Sequence, residues 1–342
     1  MTTHDASDRL ATTRLGTDGP EVSVQGLGCM GMSWAYGPTD ADEARAALER
    51  ALELGVTLYD TADVYGDGEN ERFLAPFVGA HRDEIVIATK FALSTDPEDP
   101  TKRIITNDPD YVRAAADRSL ARLGVDTIDL YYMHRRDERV PLEDSVGAMA
   151  ELVRAGKVRH LGLSEVTGDE LRAAHAIHPI AAVQSEWSLF SRDIEDGVVP
   201  AARDLGVALV PYSPLGRGFL TGAFTNAERD LPADDFRRTQ PRFTGANAAA
   251  NATLLEPLRN IAAAHGASPA QIALAWVQQR ADVWGLPVVP IPGTRRPSRV
   301  EENVAATRIV LSDDELAQLE PLASQVRGDR YADMSFTSAG RS

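Results

Sequence analysis

Along the chain, short β-branched and apolar runs alternate with longer stretches whose apolar residues recur at helical spacing. The first run, VSVQGLGCM, ends at Met30. It is followed by LYDTA (58–62), IVIATK (85–90), IDLYYMH (128–134), RHLGLSE (159–165), AAVQSE (181–186), VALVPYS (207–213) and PVVPIPG (287–293). Between them lie amphipathic stretches such as DEARAALERALELG, YVRAAADRSLARLG and DSVGAMAELVRAGK, often closing on the glycine that ends helices. Eight such units predict an α/β fold, a (β/α)8 TIM barrel. A doubly wound sheet shows the same alternation, so the polar residues have to decide. Asp60, Lys90, His134, Glu165 and Tyr212 each end a different run. A closed barrel gathers those ends around one mouth, whereas an open sheet spreads them along an edge. An N-terminal β-hairpin, a long Gly/Pro/Arg-bearing loop after strand seven (214–251) and an extra C-terminal helix in SDDELAQLEPLASQ complete the expected architecture. No linker or break in composition divides residues 1–342, so one domain is expected, with a core over about 20–325 and peripheral tails.

Gly26-Leu27-Gly28-Cys29-Met30-Gly31 matches the G-x-G-x-x-G pattern of a dinucleotide loop. That loop needs its third glycine to open a helix. Here Met32-Ser33-Trp34-Ala35-Tyr36-Gly37-Pro38 follows, and no helix can start before about Thr39. The pattern reads as a glycine-bearing strand end, not a Rossmann loop.

Charge narrows the partners. A net charge of −16, from 51 acidic against 35 basic side chains, repels nucleic acid and anionic membrane surfaces. No apolar run reaches the roughly 18 residues of a membrane span. The N-terminal MTTHDASDRLATTRLG is polar and lacks the apolar centre of a secretory signal. A single cysteine, Cys29, excludes an internal disulfide framework and a cysteine-based zinc site, and suits a reducing cytoplasm.

The candidate chemistry lies at three successive strand ends. Asp60 ends one strand, Tyr65 sits in the loop beyond it, Lys90 ends the next strand and His134 the one after. An ammonium ending an apolar strand enters a nearly dry barrel mouth, which is costly unless a carboxylate answers it. Asp60, on the adjacent strand, is the natural partner. A free phenol, with a pKa near ~10, is a weak acid at neutral pH. One positive charge ~4 Å away, at an effective dielectric of ~20, contributes about 4 kcal/mol. That matches a lowering of roughly 3 pKa units. Asp60 offsets part of it, so a smaller lowering of Tyr65 is expected. His134 adds a second donor to orient a substrate oxygen or relay a proton. Singly, a tyrosine before Gly-Asp-Gly reads as a surface turn, and a strand-end lysine or histidine as a solvated rim residue. Together they suit protonation of an oxygen while another group attacks the carbon.

The stretches YDTADVYGDGENE, IATK, LYYMH, GLSE, AAVQSEWSLF, VPYSPLGRGFLTG and IPGTRRPSRVEENVAA resemble signatures of the aldo-keto reductase superfamily, in order and over about residues 20–310. The resemblance implies NADPH bound in an extended pose at the barrel mouth, and a catalytic tetrad of Asp60, Tyr65, Lys90 and His134. It implies that Ser164 and Gln184 hold the nicotinamide carboxamide and that Tyr212 stacks under the ring. Ser213, Leu215, Arg217 and Gly218 would wrap the pyrophosphate. Thr294 and Arg299 would meet the 2′-phosphate, and Glu302 and Asn303 the adenine. Gly28, Cys29, Met30, Pro214, Gly293 and Arg295 complete the cofactor set, with Arg295 and Arg296 adding positive charge. Trp34 and Trp187, with Tyr36, Phe190 and the 214–250 loop, are expected to shape the substrate pocket.

Three positions depart from the family pattern. Glu165 stands where asparagine is frequent and can accept from an amide but not donate to its oxygen. Gly293 stands where many members carry a phosphate-binding lysine, which shifts that contact onto the arginines. Trp187 replaces a common tyrosine. The resemblance implies an NADPH-dependent reductase of aldehydes or ketones, with a small-molecule substrate and no nucleic-acid or membrane partner. A homo-oligomer is compatible with the chain, but subunit number is not legible. The alternative is a nucleotide-binding regulatory subunit of the same fold acting through a protein partner, against which the intact tetrad argues. A barrel glycosidase using Asp60 and Glu165 leaves Lys90, Tyr65 and RRPSR without a role.

Overall fold

The computed structural model describes residues 10–96, 98, 99 and 103–341. The first nine residues of the segment read above as lacking a secretory signal lie outside that set. An antiparallel hairpin, β1 (Thr12–Arg14) and β2 (Glu21–Ser23), opens the described chain. Next come β3 (Leu27–Gly28), α1 (Ala41–Glu53), β4 (Leu58–Asp60), α2 (Glu69–Ala80) and β5 (Val86–Phe91). A small hairpin, β6 (Leu93–Thr95) and β7 (Arg103–Ile105), precedes α3 (Pro109–Leu123) and β8 (Ile128–Met133). The alternation continues through α4 (Leu142–Arg154), β9 (Val158–Ser164), α5 (Gly168–Ile177), β10 (Ile180–Glu186), α6 (Val198–Leu205) and β11 (Ala208–Tyr212). Side-chain caps set where helices begin. Asp40 and Asp108 accept backbone amides of α1 and α3, and Thr167 with Glu170 forms a capping box on α5.

Seven strands pair in parallel in the order β3-β4-β5-β8-β9-β10-β11. The eighth run, 287–293, closes the ring through the parallel bridges Leu209–Val288 and Gly28–Gly293. It forms no regular strand because Pro287, Pro290 and Pro292 have no N–H for a ladder. Those prolines accept instead: Leu209 donates to the Pro287 carbonyl and Gly26 to the Pro290 carbonyl, both at 2.9 Å. Val289 and Ile291, which keep their amides, donate to Leu209 and Pro211. The fold is the expected (β/α)8 barrel with a proline-lined seam.

Strand β8 is buried at every position, as helices cover its outer face and side chains fill the inner one. Leu58, Ala88, Leu130, Tyr132, Val210 and Ile291 form one interior cluster with Leu15 and Val22. The N-terminal hairpin thus plugs the end of the barrel where the strands start.

The long segment after β11 is ordered by short helical pieces. These are 3-10 turns at Gly216–Thr221, Phe236–Thr239 and Pro241–Phe243, with α7 (Ala227–Asp230) and α8 (Gly245–Thr253). It has its own aromatic core, in which Phe219 lies 5.3 Å from Phe243, 5.4 Å from Phe224 and 5.8 Å from Phe190. Helices α9 (Leu255–His265), α10 (Pro269–Trp284) and α11 (Pro297–Ala305) complete the outer layer. The expected C-terminal helix is α12 (Asp313–Leu319), started by a Ser312–Glu315 capping box and followed by α13 (Leu322–Gln325). No helix among the described residues is long and apolar enough to cross a membrane.

The expectation of a peripheral C-terminal tail is corrected. Arg330 is 2% exposed and donates to the Glu165 carboxylate just past β9. The partners lie 165 residues apart in sequence, and nothing in the polar tail announces the contact.

Candidate functional site

At the strand ends the barrel opens into a cleft of about 1530 Å³. Its floor is built by neighbouring strands: β4 brings Asp60, β5 brings Lys90 and the end of β8 brings His134. Lys90 is fully buried. Its Nζ donates to Asp60 Oδ1 at 2.5 Å and to the Thr61 carbonyl at 2.8 Å, with Tyr65 Oη 3.5 Å away. Gln184 Nε2 donates to the other Asp60 oxygen at 2.8 Å. The Tyr65 ring packs edge-on to His134 at 5.9 Å and stacks on Trp34 at 5.9 Å. The loop carrying Tyr65 is pinned by Asn70, which accepts from Thr61 Oγ1 at 2.6 Å and donates to the Cys29 carbonyl at 2.9 Å. Glycine is required in that loop at Gly68, where φ is +87° and a Cβ would meet Arg122 at 2.6 Å.

Burial lifts the Tyr65 phenol above its ordinary value and outweighs Lys90, which pulls it down. The expected net lowering is therefore reversed, and the phenol stays protonated. Burial acts against the Lys90 ammonium, but Asp60 and then Tyr65 outweigh it and hold the amine charged. Burial, reinforced by the Arg135 and Lys90 charges, drives His134 well below its ordinary 6.5. The imidazole is neutral, and its Nδ1 is buried without a partner.

Of the residues implicated in cofactor binding, Gly28, Met30, Ser164, Gln184, Tyr212, Ser213, Pro214, Leu215, Arg217 and Gly218 line this cleft, as do Gly293, Thr294, Arg295, Arg299, Glu302 and Asn303. Cys29 does not. Its side chain is fully buried in the cluster beneath α1 and α2, and its backbone is taken by the Asp60 carbonyl and Asn70. Trp34 stands at the rim, 36% exposed. Trp187 is displaced from the expected pocket: it is fully buried, donating Nε1 to Glu195 at 2.9 Å. Phe190 likewise belongs to the aromatic core described above, because apolar neighbours rather than open cleft surround it.

Several lining groups are already engaged. Arg295 donates to the carbonyls of Gly31, Tyr36 and Gly37 and to Thr39 Oγ1, at 3.0–3.3 Å, and so holds the 31–39 loop. Arg217 is tied to Glu186 at 3.2 Å and to the Tyr331 hydroxyl. Arg299 differs: it is exposed in the first turn of α11 and makes no ion pair among the described residues. Glu165 is fully buried, with a backbone φ of +51°. Its carboxylate accepts from Arg330 at 3.1 and 3.2 Å, Tyr212 Oη at 2.8 Å, and the amides of Glu186 and Ser338 at 3.1 and 3.2 Å. Burial works to raise it, but Arg330 and then Arg135 overcome that and bring it to about 2. The carboxylate anchors the tail instead of awaiting an amide. Arg135, Tyr331 and Phe336 also line the cleft and were not foreseen. The position of Arg135 directly after a strand-end histidine was a usable signal. Tyr331 and Phe336 offered none without knowledge of where the tail lies.

The Aldo/keto reductase family model matches residues 26–324. The chain belongs to the aldo/keto reductase family. A probable aldo-keto reductase 1 of Glycine max is 42% identical over 327 residues, covering 94% of this chain and 92% of that protein. A glycerol dehydrogenase of Gluconobacter oxydans superposes with a TM-score of 0.81 at 29% identity, over 94% of this chain and 97% of that one. A thermostable aldo-keto reductase solved with the inhibitor epalrestat gives 0.71 at 29% identity, over 92% of this chain and all of that one. Membership makes this aldo/keto reductase an oxidoreductase of carbonyl compounds, in a family that uses nicotinamide cofactors.

Proposed function

We propose that this aldo/keto reductase transfers hydride from NADPH to an aldehyde or ketone, with Tyr65 as general acid. The observation that carries the reading is the Tyr65 hydroxyl, in the cleft, 3.5 Å from a Lys90 ammonium that Asp60 holds in place. NADPH, when bound, supplies the hydride. Tyr65 gives its proton to the carbonyl oxygen as negative charge develops there. Lys90 is already charged and oriented beside the phenolate left behind, so its stabilisation grows as the reaction proceeds and needs no rearrangement. His134 is neutral and offers one N–H to the same oxygen. In the reverse direction the phenolate would take the proton of an alcohol.

The chain fits the cofactor. Ser213 and Arg217 adopt positive φ after β11, forming a tight turn at the cleft wall. Arg299 lies unpaired in the first turn of α11, where helix amides also favour phosphate. The buried lone Cys29 suits the reducing cytoplasm in which we place the enzyme. A panel of aldehydes, ketones, quinones and sugars, followed by loss of NADPH absorbance, tests the reading. Tight NADPH binding with turnover of none of them would overturn it.

A further inference from the structure

We propose that Arg135 selects substrates bearing a carboxylate, so that the preferred carbonyl compounds are aldehyde or keto acids. This rests on the carbonyl-reductase reading and names the substrate class of the same cleft. Arg135 is 6% exposed, lines the cleft and directly follows His134. Its Nη1 donates to the His134 carbonyl at 2.7 Å and to Ser164 Oγ at 3.3 Å. Both acceptors are neutral. Nε is buried with no partner. Among the described residues, Nη2 makes no hydrogen bond and no carboxylate stands within ion-pair distance of the guanidinium.

The Glu165 charge reaches Arg135 only through space, and a buried cation with no carboxylate at ion-pair distance is costly, so that proteins normally answer it with a fixed acid. Among the described residues, none of the acids around this cleft stands within ion-pair distance of Arg135. Asp60 answers Lys90. Glu165 is filled by Arg330, Tyr212 and two backbone amides. Asp333 is exposed on the tail and accepts from the Ser335 amide. The Phe336 ring, 5.7 Å from the Arg135 Cζ, steadies the guanidinium but contributes no charge. A planar fork held at one end, with its other donors unsatisfied, matches a carboxylate, whose two oxygens can take paired hydrogen bonds. Trp34, Leu93 and Ile105 supply apolar wall for the rest of such a substrate.

The test compares para-formylbenzoate with its methyl ester, which keeps the aldehyde and ring but removes the charge. With NADPH, the wild-type protein should show kcat/KM at least about tenfold higher for the acid than for the ester, the scale of one charged hydrogen bond. Arg135→Met should bring the ratio to about one, while Arg135→Lys, which keeps the charge without the fork, should retain part of it. In wild type, benzoate should compete with the aldehyde far better than benzamide does, a measurement independent of whether Arg135→Met folds. Equal handling of acid and ester by wild type, or an unchanged ratio in Arg135→Met, would overturn the assignment and leave carbonyl reduction standing. So would an Arg135→Met protein whose Kd for NADPH rises while its acid preference is unchanged, because Arg135 would then serve the cofactor. Turnover of neither compound, nor of any other aldehyde, would instead remove the reductase reading beneath it.

Discussion

The Lys90–Asp60 pair and the Glu165–Arg330 pair sit at the same end of the barrel and are equally buried, yet they differ in what is left unsatisfied around them. Lys90 and Asp60 come from adjacent strands, and beside them the Tyr65 hydroxyl lies at 3.5 Å and His134 Nδ1 has no partner. Glu165 receives six hydrogen bonds at its two carboxylate oxygens, two each from Arg330 and Ser338 and one each from Tyr212 and Glu186. Buried charge that is saturated fixes one arrangement of the chain; buried charge with an unfinished neighbour is available to a reacting molecule. Burial per se therefore distinguishes nothing here.

The sharpest test of that contrast removes the proposed acid. Tyr65→Phe should lower kcat about 10²–10⁴-fold, the usual range for a lost general acid, while NADPH binding stays near normal. Single-turnover rates and fluorescence titration measure the two separately. A chemical step within about threefold of wild type would take Tyr65 out of the role. On the anchoring side, Arg330→Met leaves Glu165 as an unanswered buried charge and should cost about 3–5 kcal/mol, read from guanidinium unfolding. A loss under about 1 kcal/mol would mean that the tail detaches without weakening the barrel.

Acid should separate the two pairs as well. The Glu165 carboxyl is held at about 2, against an ordinary 4.5. Because its folded value is the lower one, its contribution is complete above 4.5 and is lost as pH falls towards 2. The shift corresponds to about 3 kcal/mol. Unfolding curves across that window should show a loss in wild type that Glu165→Gln lacks; parallel curves for the two proteins would refute it. The smallest expected effect concerns the rim. NADPH should be preferred over NADH by about tenfold or more, ~1.4 kcal/mol, and Arg299→Ala should weaken NADPH while barely affecting NADH. Equal losses for both cofactors would transfer the 2′-phosphate contact to Arg296, since Arg295 is committed to the 31–39 loop.

The same contrast explains what could be read from the chain. Asp60, Lys90 and His134 were legible because strand ends announce themselves by periodicity, and a barrel brings consecutive ends together. The eighth strand was legible as an apolar run, although its prolines turn it into a pair of bridges. Trp187 and Phe190 were misplaced because an aromatic just past a strand end can face the cleft or the helical layer, and one residue of register decides which. The direction of the Tyr65 shift was misjudged because the lysine charge could be counted in advance and the depth of burial could not. Arg330 and its partner could not be paired at all. Contacts across 165 residues of chain leave no local pattern, and the family's usual asparagine at position 165 pointed to a different role.

The proline-lined seam bears on the order in which the molecule assembles. Gly28 and Gly293 meet from opposite ends of the chain, so their pairing carries a larger loop-closure entropy than the contacts between sequential strands. With Pro287, Pro290 and Pro292 unable to donate, few hydrogen bonds reward that closure until Val289 and Ile291 are packed inside. The ring is therefore expected to close last, onto a seven-stranded sheet that has already curved, and to be the first thing to reopen. Native-state hydrogen exchange would read that sequence in reverse, with the amides of Gly26 and Ile291 exchanging well before those in the middle of β8.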